Sequence, residues 1–308
     1  MHVAVVVVTF NSRADLGGLL DSIPERAGAH GLDLVIVDSG STDDSLGVAA
    51  GLRPDATLVD LGANRGYAAG VNAGWEAAGG ADVLLLLNPD LTVDEGVVGP
   101  WIDSLGDGVG IVVPRIRNLD GALEPSLRRR PTPLRAWAES LIGGHLAGRL
   151  GLGELVPAGD VYTRPAVAGW ASGAAMAISA ACLADVGAWD ERFFLYSEET
   201  DFCLRAAAAG YSTRLEPRAG VIHRGGDFAV SPPLYALMTW NRVRLQRKHS
   251  GSAAAVALAA GVLAGELIRG VTGPQRTVHR TASRVLVSRR SRPTLLPPST
   301  DLAWNGAD

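Results

Sequence analysis

The sequence predicts an α/β fold, in which a mixed, mainly parallel sheet is flanked by helices and followed by a helical C-terminal extension. Before residue 95, an apolar run, a short polar loop and a helical pattern follow one another three times, which is typical of parallel strands joined by crossover helices. The apolar runs are continuous rather than alternating, as in VLLLL at 83–87. Such runs indicate strands that are buried on both faces.

The same patterns place the individual elements along the chain. Strands are predicted over residues 3–8, 34–37, 57–59, 83–87, 110–114 and 212–215, with a loop feeding another strand over 168–178. Helices are predicted where Leu16, Leu19, Leu20 and Ile23 recur at helical spacing, after an N-cap at Ser41 or Thr42, and over 202–209, 234–249 and 252–268. Residues 131–165 are expected to form a mobile or helical insertion. Three units follow, 1–95, 96–230 and 231–308.

Composition limits the class of protein. With 47% hydrophobic and 19% charged residues, the 308-residue chain is expected to fold around a large core. Its two cysteines form neither a disulfide framework nor a metal-type pair, which favours a reducing compartment. The opening MHVAVVVVTFNS lacks the features of a signal peptide, and no run reaches the roughly 20 apolar residues of a spanning helix. We therefore expect a cytoplasmic protein, soluble or peripheral on the inner face of the cell membrane.

The net charge of −4 is unevenly distributed. From Arg242 to Arg292, ten Arg and one Lys face a single acid, Glu266, whereas residues 1–241 carry a net charge of −12. A basic extension on an acidic body favours contact with anionic lipid or pyrophosphate, although a merely solvated basic tail fits as well. No nucleic-acid partner is expected, and a homodimer is left open.

Short polar loops follow the predicted strands and should meet at one edge of the sheet, where open α/β sheets bind ligands. The candidate nucleotide-binding residues in these loops are Thr9, Phe10, Asn11, Asp38, Ser39, Asn64, Gly66, Asn72, Asn88 and Pro89. Neither G-x-G-x-x-G nor G-x-x-x-x-G-K-[ST] is present, which disfavours a dinucleotide enzyme or a phosphate-loop ATPase. Asp38 could accept the N3–H of a pyrimidine or serve as a loop or capping residue. Asn72 could contact diphosphate or ribose, or have a structural role.

The turn Asn88-Pro89-Asp90 ends the most apolar strand. Pro89 has no N–H and favours an extended Asn88, so the strand ends there and presents Asp90 at the carboxyl edge. A carboxylate at this position could hold a divalent cation against a diphosphate. An ordinary turn aspartate is the equally weighted alternative.

Three acids, Glu198, Glu199 and Asp201, fall within four positions after the apolar segment FFLY. Acids at the start of a helix suit its dipole, which is the structural explanation. The apolar approach should, however, bring at least one of them into a partly dry site, where a carboxylate could act as general base on a hydroxyl.

Two further segments carry candidate substrate contacts. Arg128 begins a run of three arginines that could clamp an acceptor phosphate, although a solvated basic loop is favoured. Trp170, flanked by glycine and followed by Ser172 and Gly173, could stack on a sugar ring or lie in the core.

Four motifs in order, VVVVTFNS, VIVDSGSTDDS, NRGYAAGVNAG and LLLLNPD, resemble the nucleotide half of family 2 glycosyltransferases with the GT-A fold, in particular bacterial rhamnosyltransferase-like members. The resemblance covers residues 2–226. It implies a nucleotide-sugar-binding half at 1–95, an acceptor-binding and catalytic half at 96–230, and a helical basic extension at 231–308.

The resemblance also implies roles for single residues. Asp38, with the loop Thr9 to Asn11, would bind the base. The D-x-D motif of the family is Asn88-Pro89-Asp90 here, which leaves Asp90 as its metal ligand and puts a metal bond from Asn88 in doubt. The segment containing Trp170, Ser172 and Gly173 would lie beside the donor sugar. His223, which ends an apolar run before two glycines, would bind metal or diphosphate.

In the same way, Glu199 occupies the position of the proposed base in the family's Glu-Asp-x-Asp motif, with Glu198 and Asp201 as weaker candidates; Asp201 is favoured to cap the helix or orient Arg205. The predicted activity is an inverting transfer, dependent on Mn²⁺ or Mg²⁺, of L-rhamnose from dTDP-L-rhamnose to a glycan or polyprenyl-diphosphate-linked acceptor in cell-wall or polysaccharide synthesis. UDP-sugars remain open, because uracil and thymine share the N3–H. The alternatives are a pyrophosphorylase, disfavoured because the chain lacks a glycine-rich, lysine-bearing start, and a non-catalytic nucleotide-sugar-binding protein.

Overall fold

The computed structural model describes residues 1–225 and 231–288. Its strands are β1 (His2–Thr9), β2 (Arg26–Ala27), β3 (His30–Asp38), β4 (Thr57–Asp60), β5 (Val83–Leu87), β6 (Leu91–Val93), β7 (Val109–Arg117), β8 (Leu123–Glu124), β9 (Leu127–Arg128), β10 (Ala166–Ala168), β11 (Trp170–Ala171), β12 (Ala175–Ser179) and β13 (Ser212–His223). Its α-helices are α1 (Arg13–Ser22), α2 (Ser45–Leu52), α3 (Tyr67–Ala77), α4 (Val98–Ile102), α5 (Pro133–Ile142), α6 (Gly144–Arg149), α7 (Ala180–Val186), α8 (Glu198–Ala208), α9 (Pro232–Thr272) and α10 (Arg276–Val287).

A mixed sheet forms the centre of the fold, as predicted. Among the described residues, its main strand order is β10-β13-β7-β12-β5-β1-β3-β2, with β4 beside β3, β6 beside β13 and β8 beside β7. The first half is mainly parallel, since β1 pairs in parallel with both β3 and β5, and β3 with β4. In the second half, β12 is antiparallel to its neighbours β5 and β7. The carboxyl ends of β1, β3 and β5 therefore share one edge.

The continuous apolar runs arise because the sheet is covered on both faces. In β1, Val5 and Val7 belong to the core cluster that includes Leu16 of α1. The alternate residues, among them Val6, pack in a second cluster with Val71 of α3. Every position of the strand from Val3 to Thr9 is buried, so the sequence shows no polar alternation.

Helix α3 lies unusually close to β1. A Cβ atom on Gly74 would be 2.4 Å from Cγ1 of Val6, and one on Gly70 would be 2.4 Å from Cγ1 of Val8. Small residues in this segment thus let the helix approach the strand as well as the sheet edge.

Several element boundaries differ from the predictions. Helix α2 begins at Ser45 with Asp44 as its N-cap, rather than after Ser41 or Thr42, because those two residues instead bind the neighbouring loops. Strand β13 continues through a bulge to His223, so the predicted strand 212–215 was too short. Helix α8 begins at Glu198, which places the acids inside its first turn rather than before it.

The insertion at 131–165 is helical, with α5 and α6, and it packs on the C-terminal extension through α5. Helix α9 consists of two helical halves joined at Gly251, whose φ of 82° and ψ of 177° break the helix, and its second half is flanked by α10. By length and composition, α9 is apolar enough to cross a membrane, with 33% of its most apolar window buried, which corrects the prediction that no such segment exists. Residues 226–230 and 289–308, including the end of the basic extension, lie outside the described residues.

Candidate active site

A cavity of about 330 Å³ opens at the carboxyl ends of β3 and β4. Its wall is formed by Asp38, Gly40, Ser41, Thr42, Asp43, Leu46, Asp60 and Gly62. This is the sheet edge at which the sequence places the nucleotide.

Asp38 lies on the wall of this cavity and is also fixed by its neighbours. Its carboxylate accepts hydrogen bonds from the Thr9 hydroxyl at 2.9 Å and from the backbone N–H of Ser41 at 2.7 Å. These bonds are those of a structural loop residue, which is the alternative role considered for Asp38. The side chain nevertheless still lines the cavity. Its side chain is therefore held rigidly in place, whatever ligand it meets.

Other predicted nucleotide residues connect the edge loops. Asn11, at a positive φ of 52°, accepts the Thr42 and Asp43 N–H groups on its side-chain oxygen. The Ser39 hydroxyl accepts the Arg65 N–H at 3.1 Å. The remaining member of the Thr9–Asn11 loop, Phe10, is partly buried. The structure thus brings this group of residues together.

Asn72 has the structural role that was considered as the alternative to a ligand contact. Its side-chain oxygen accepts the Trp189 N–H at 2.9 Å, and its NH₂ group donates to the Trp189 carbonyl and to Glu191, both at 3.0 Å. With these bonds made, the side chain holds the 189–191 segment instead of pointing to a nucleotide. The predicted ligand contact of Asn72 is therefore not supported.

Gly66 allows the loop before α3 to meet the segment before α8. It has a φ of 84°, and a Cβ atom there would lie 2.3 Å from the Phe194 carbonyl oxygen. That oxygen accepts the Tyr67 N–H at 2.7 Å, and the Asn64 side-chain oxygen accepts the Gly66 N–H at 3.0 Å. The loop before α3 and the segment before the acid-bearing α8 are thereby joined at this position.

Asp90 lies in the turn that follows β5, as predicted, and its carboxylate is beside His223. Its Oδ2 is 3.1 Å from the imidazole Nε2, whereas its buried Oδ1 finds no hydrogen-bond partner among the described residues. The other ring nitrogen, Nδ1, is 3.0 Å from a carboxylate oxygen of Glu124, which lies in the two-residue strand β8 and was not among the predicted site residues. Burial would lower the pKa of His223, but Asp90 and Glu124 raise it to about 10.

The donor set fits a divalent cation that also binds a diphosphate. A carboxylate with an unpartnered buried oxygen is a suitable ligand for Mn²⁺ or Mg²⁺, and the His223 imidazole suits Mn²⁺ once it has released the proton that Asp90 and Glu124 stabilise. Within the described residues no group of three or more His, Cys, Asp or Glu side chains is arranged around one such point. Asp90 and His223 would therefore share the ion with ligand oxygens. Asn88 would not, because its side-chain oxygen accepts the Tyr67 hydroxyl at 2.9 Å.

Glu198 and Glu199 form a buried pair in the first turn of α8. Burial raises the pKa of Glu198 well above its ordinary value, and the neighbouring Glu199 raises it further. Burial also raises the pKa of Glu199, partly offset by backbone hydrogen bonds and by Arg128. Glu198 is 3% exposed, with Oε2 unpartnered among the described residues, whereas Glu199 is partly exposed and packs on Gly173. Glu199 is thus the acid that a substrate can reach.

Tyr67 is a site residue that sequence reasoning missed, although it directly follows Gly66. Its hydroxyl donates to Asn88 at 2.9 Å and is 3.2 Å from the Gly173 carbonyl oxygen. Burial raises the pKa of Tyr67 well above its ordinary value, and the charges of Glu198, Glu199 and Asp90 add to this. The phenol therefore lies between the Asp90 turn and the glutamate pair.

Arg128 and Trp170 face each other across the β9–β11 pair, with the guanidinium 5.8 Å from the centre of the indole ring. Arg128 is partly buried in β9 and donates to the Pro125 and Leu127 carbonyl oxygens, so it is not a residue of a solvated loop, and burial lowers its pKa. Trp170 is partly buried, and its ring N–H has no partner among the described residues. The Ser172 N–H donates to the Ser126 carbonyl, which fixes the loop containing Gly173.

Asp201 is fully buried, and its carboxylate is bonded to three basic side chains. It accepts hydrogen bonds from Arg205 at 2.8 Å and His249 at 2.8 Å, and it lies 2.7 Å from Lys248. Burial would raise the pKa of Asp201, but these three partners lower it overall. Its candidacy as base is therefore not supported, whereas the predicted orientation of Arg205 is found.

Comparisons with known proteins identify the family and the fold. Residues 4–148 match the family model described as glycosyl transferase family 2. The chain is 28% identical over 272 residues to the N-acetylglucosaminyl-diphospho-decaprenol L-rhamnosyltransferase of Mycobacterium tuberculosis, and the alignment covers 80% of this chain and 85% of the relative.

Two solved structures have a similar fold. The structure of GalNAc-T7 with UDP, GalNAc and Mn²⁺ has a TM-score of 0.62 at 15% identity, covering 93% of this chain and 56% of the other. The mannosyltransferase PcManGT from Pyrobaculum calidifontis, in complex with GDP-Man and Mn²⁺, has a TM-score of 0.54 at 16% identity, covering 94% and 76%. With this GT-A fold and a family match across its sheet-edge loops, the chain carries a glycosyl transferase family 2 domain at residues 4–148 and is a transferase enzyme.

Proposed function

We propose that the chain transfers L-rhamnose from dTDP-L-rhamnose, with inversion, to a polyprenyl-diphosphate-linked glycan acceptor in cell-wall or polysaccharide synthesis. The observation that carries the transferase part is the meeting of the Asp90 turn, the Tyr67 phenol and the Glu198–Glu199 pair at one sheet edge. The donor sugar and acceptor are suggested by the mycobacterial relative, whose name describes an L-rhamnosyltransferase acting on N-acetylglucosaminyl-diphospho-decaprenol.

The donor would lie with its base in the cavity that Asp38 lines, where the Asp38 carboxylate would accept the N3–H of thymine. Since uracil offers the same N–H, a UDP-sugar remains the second candidate donor. Asp90 and His223 would hold Mn²⁺ or Mg²⁺ against the diphosphate. When bound, that ion supplies positive charge to the departing diphosphate.

Glu199 would act as the general base. Its carboxylate takes the proton of the acceptor hydroxyl while the hydroxyl oxygen attacks the anomeric carbon and the bond from that carbon to the diphosphate breaks. A base works best when its pKa is near the working pH, and burial raises the pKa of Glu199 in that direction. Tyr67 would hold the Asn88 turn and the Gly173 loop at a fixed separation around the reacting atoms.

A second part of the proposal concerns location. Of the 17 large apolar residues that are exposed in the described structure, 11 lie between Leu134 and Leu152 or in α9. Exposed apolar side chains beside a basic extension suit a helical surface resting on an anionic membrane, where a polyprenyl acceptor would be found. We therefore place the enzyme in the cytoplasm, peripheral to the membrane.

Calorimetric titration with dTDP, UDP and GDP, each with and without Mn²⁺, tests the donor site. We expect pyrimidine diphosphates to bind tightly only with the metal, and Asp90→Asn to weaken that binding by about tenfold or more. Asp120→Asn, a matched change at an exposed turn residue, should have no effect. If the wild type bound nucleotide equally well with and without metal, the role of Asp90 would be refuted. A separate transfer assay over dTDP- and UDP-sugars decides the donor.

A further inference from the structure

A second cavity, of about 410 Å³, lies between the first half of α9 and the turn that precedes α8. Four cationic side chains line it, Arg192, Arg244, Arg247 and Lys248. The aromatic rings of Phe193 and Trp240 form the rest of its wall, with a single acid, Asp190. Its volume is within the range of about 300–1,000 Å³ that is usual for ligand sites.

The one acid does not neutralise the cavity. Both oxygens of Asp190 bind Arg192, at 2.8 and 2.7 Å, and one of them also binds Lys248 at 2.7 Å. The pKa of Asp190 is held well below its ordinary value by these contacts, with Arg192 the largest cause. The lining residues therefore keep a net charge of +3.

Two arginines in the lining have no carboxylate partner within the described part of the chain. Arg244 is partly buried and donates only to the Arg192 carbonyl at 2.6 Å and to Asn241 at 3.1 Å, and its guanidinium lies 5.3 Å from the centre of the Phe193 ring. Arg247 is exposed and has neither an ion pair nor a hydrogen bond from its side chain there. Partly buried cations are normally paired, so Arg244, which forms no ion pair within the described residues, together with the exposed Arg247 beside it makes this cavity suited to an anion.

The cavity is connected to the active site through Asn241. This fully buried amide donates to the carbonyl oxygens of Phe193, Leu195 and Tyr196, at 2.7 to 3.1 Å. That segment leads directly into Glu198 and Glu199. The same Asn241 accepts the hydrogen bond from Arg244, so two hydrogen bonds, through Asn241, would connect an Arg244 that holds an anion to the segment that positions the glutamates.

We propose that this cavity binds a phosphate- or diphosphate-ester anion and, if the proposed function is correct, that this anion is the diphosphate of the lipid-linked acceptor. Guanidinium groups bind phosphate oxygens with paired N–H donors, which lysine cannot do. The aromatic wall suits the first carbons of an apolar chain attached to the phosphate. Donor and acceptor diphosphates would then have separate sites, one at Asp90 and the other on α9.

The test uses the full chain and farnesyl diphosphate, a short prenyl diphosphate, in equilibrium dialysis with EDTA so that metal-dependent binding at the donor site is suppressed. We expect Arg247→Glu to weaken binding by about tenfold or more, since it removes one guanidinium contact and introduces repulsion. Arg276→Glu makes the same charge change in the basic extension but outside the cavity, and it should change binding by less than about twofold. Mn²⁺-dependent binding of dTDP to Arg247→Glu should equal that of the wild type, which shows that the variant is folded.

Equal losses in Arg247→Glu and Arg276→Glu would overturn the proposal, because the field of the whole extension would then explain binding. Vesicles of phosphatidylglycerol separate the two sources of phosphate. If Arg247→Glu loses vesicle binding but keeps farnesyl diphosphate, the acceptor assignment is overturned in favour of a membrane headgroup. Binding of farnesyl diphosphate through Arg247 in an enzyme that transfers no sugar would refute the proposed function and leave the cavity assignment standing.

Discussion

At the scale of single residues, the glutamate pair shows how adjacent acids can be given different tasks. Both side chains are removed from bulk water, but Glu198 is almost fully enclosed whereas Glu199 is partly exposed against Gly173. Burial raises the pKa of both acids, and the charge of Glu199 raises the pKa of Glu198 further. The exposed member is the one that can exchange a proton with a substrate.

Glu199→Gln should therefore lower turnover by roughly 10²–10⁴-fold, the usual contribution of a general base. Nucleotide binding should be unchanged, because the substitution leaves the Asp38 and Asp90 loops intact. In the wild type, kcat/KM should rise with pH through an apparent pKa above that of an ordinary glutamate, since the base must be deprotonated and burial raises its pKa. Steady-state kinetics over pH measures both effects. Normal turnover in Glu199→Gln together with an inactive Glu198→Gln would move the base to Glu198.

At the scale of elements, the close approach of α3 to β1 positions the loop that contains Asn64, Gly66 and Tyr67. Gly74→Ala should destabilise the fold by about 1–3 kcal/mol, because the added methyl group would overlap Val6 and push the helix away. Gly51→Ala is the matched control, since a Cβ atom there meets no atom within 4 Å and Gly51 lies in helix α2. It should be neutral or stabilising. Chemical denaturation measures both, and equal stability of the two variants would contradict the packing argument.

The elements also show which features a sequence can reveal. The strands of the first half were predictable because burial on both faces leaves continuous apolar runs, and the turn Asn88-Pro89-Asp90 was predictable because proline ends a strand by local chemistry. The start of α8 was not, since its N-cap Ser197 has a left-handed backbone and makes no side-chain capping bond among the described residues. The start of α2 was not either, since Ser41 and Thr42 are bonded to the distant Asn11. Glu124 and Tyr67 were missed for a similar reason. Their partners are 99 and 21 residues away, and no local pattern records such contacts.

At the scale of the whole molecule, helix α9 packs the C-terminal extension against the catalytic body. The first half of α9 reaches it through Asn241, and through Lys248 and His249, which meet Asp201. After the break at Gly251, the second half packs on α5, where Trp137 donates to the Ala257 carbonyl at 3.0 Å. One helix thus combines an attachment to the acid-bearing α8 with a largely apolar surface.

That surface leads to the last prediction. On the second half of α9, Glu266 is buried and bonded to Tyr235, Arg269 and His279, and the helix is packed on one side, which favours a helix lying in the membrane interface over one that crosses it. Flotation with phosphatidylglycerol vesicles should capture the wild type. The double change Leu141→Glu and Leu267→Glu should reduce capture severalfold, because both side chains are more than half exposed and each would bring a charge to the apolar boundary.

Leu119→Glu is the control, since Leu119 is 69% exposed in a turn outside these helices. It should float like the wild type. If all three proteins float equally, the basic extension alone accounts for membrane contact, and the apolar surface must have another partner. If only the double variant is released, the catalytic body is held against the bilayer by α5 and α9, so that a lipid-linked acceptor would reach Glu199 without leaving the membrane.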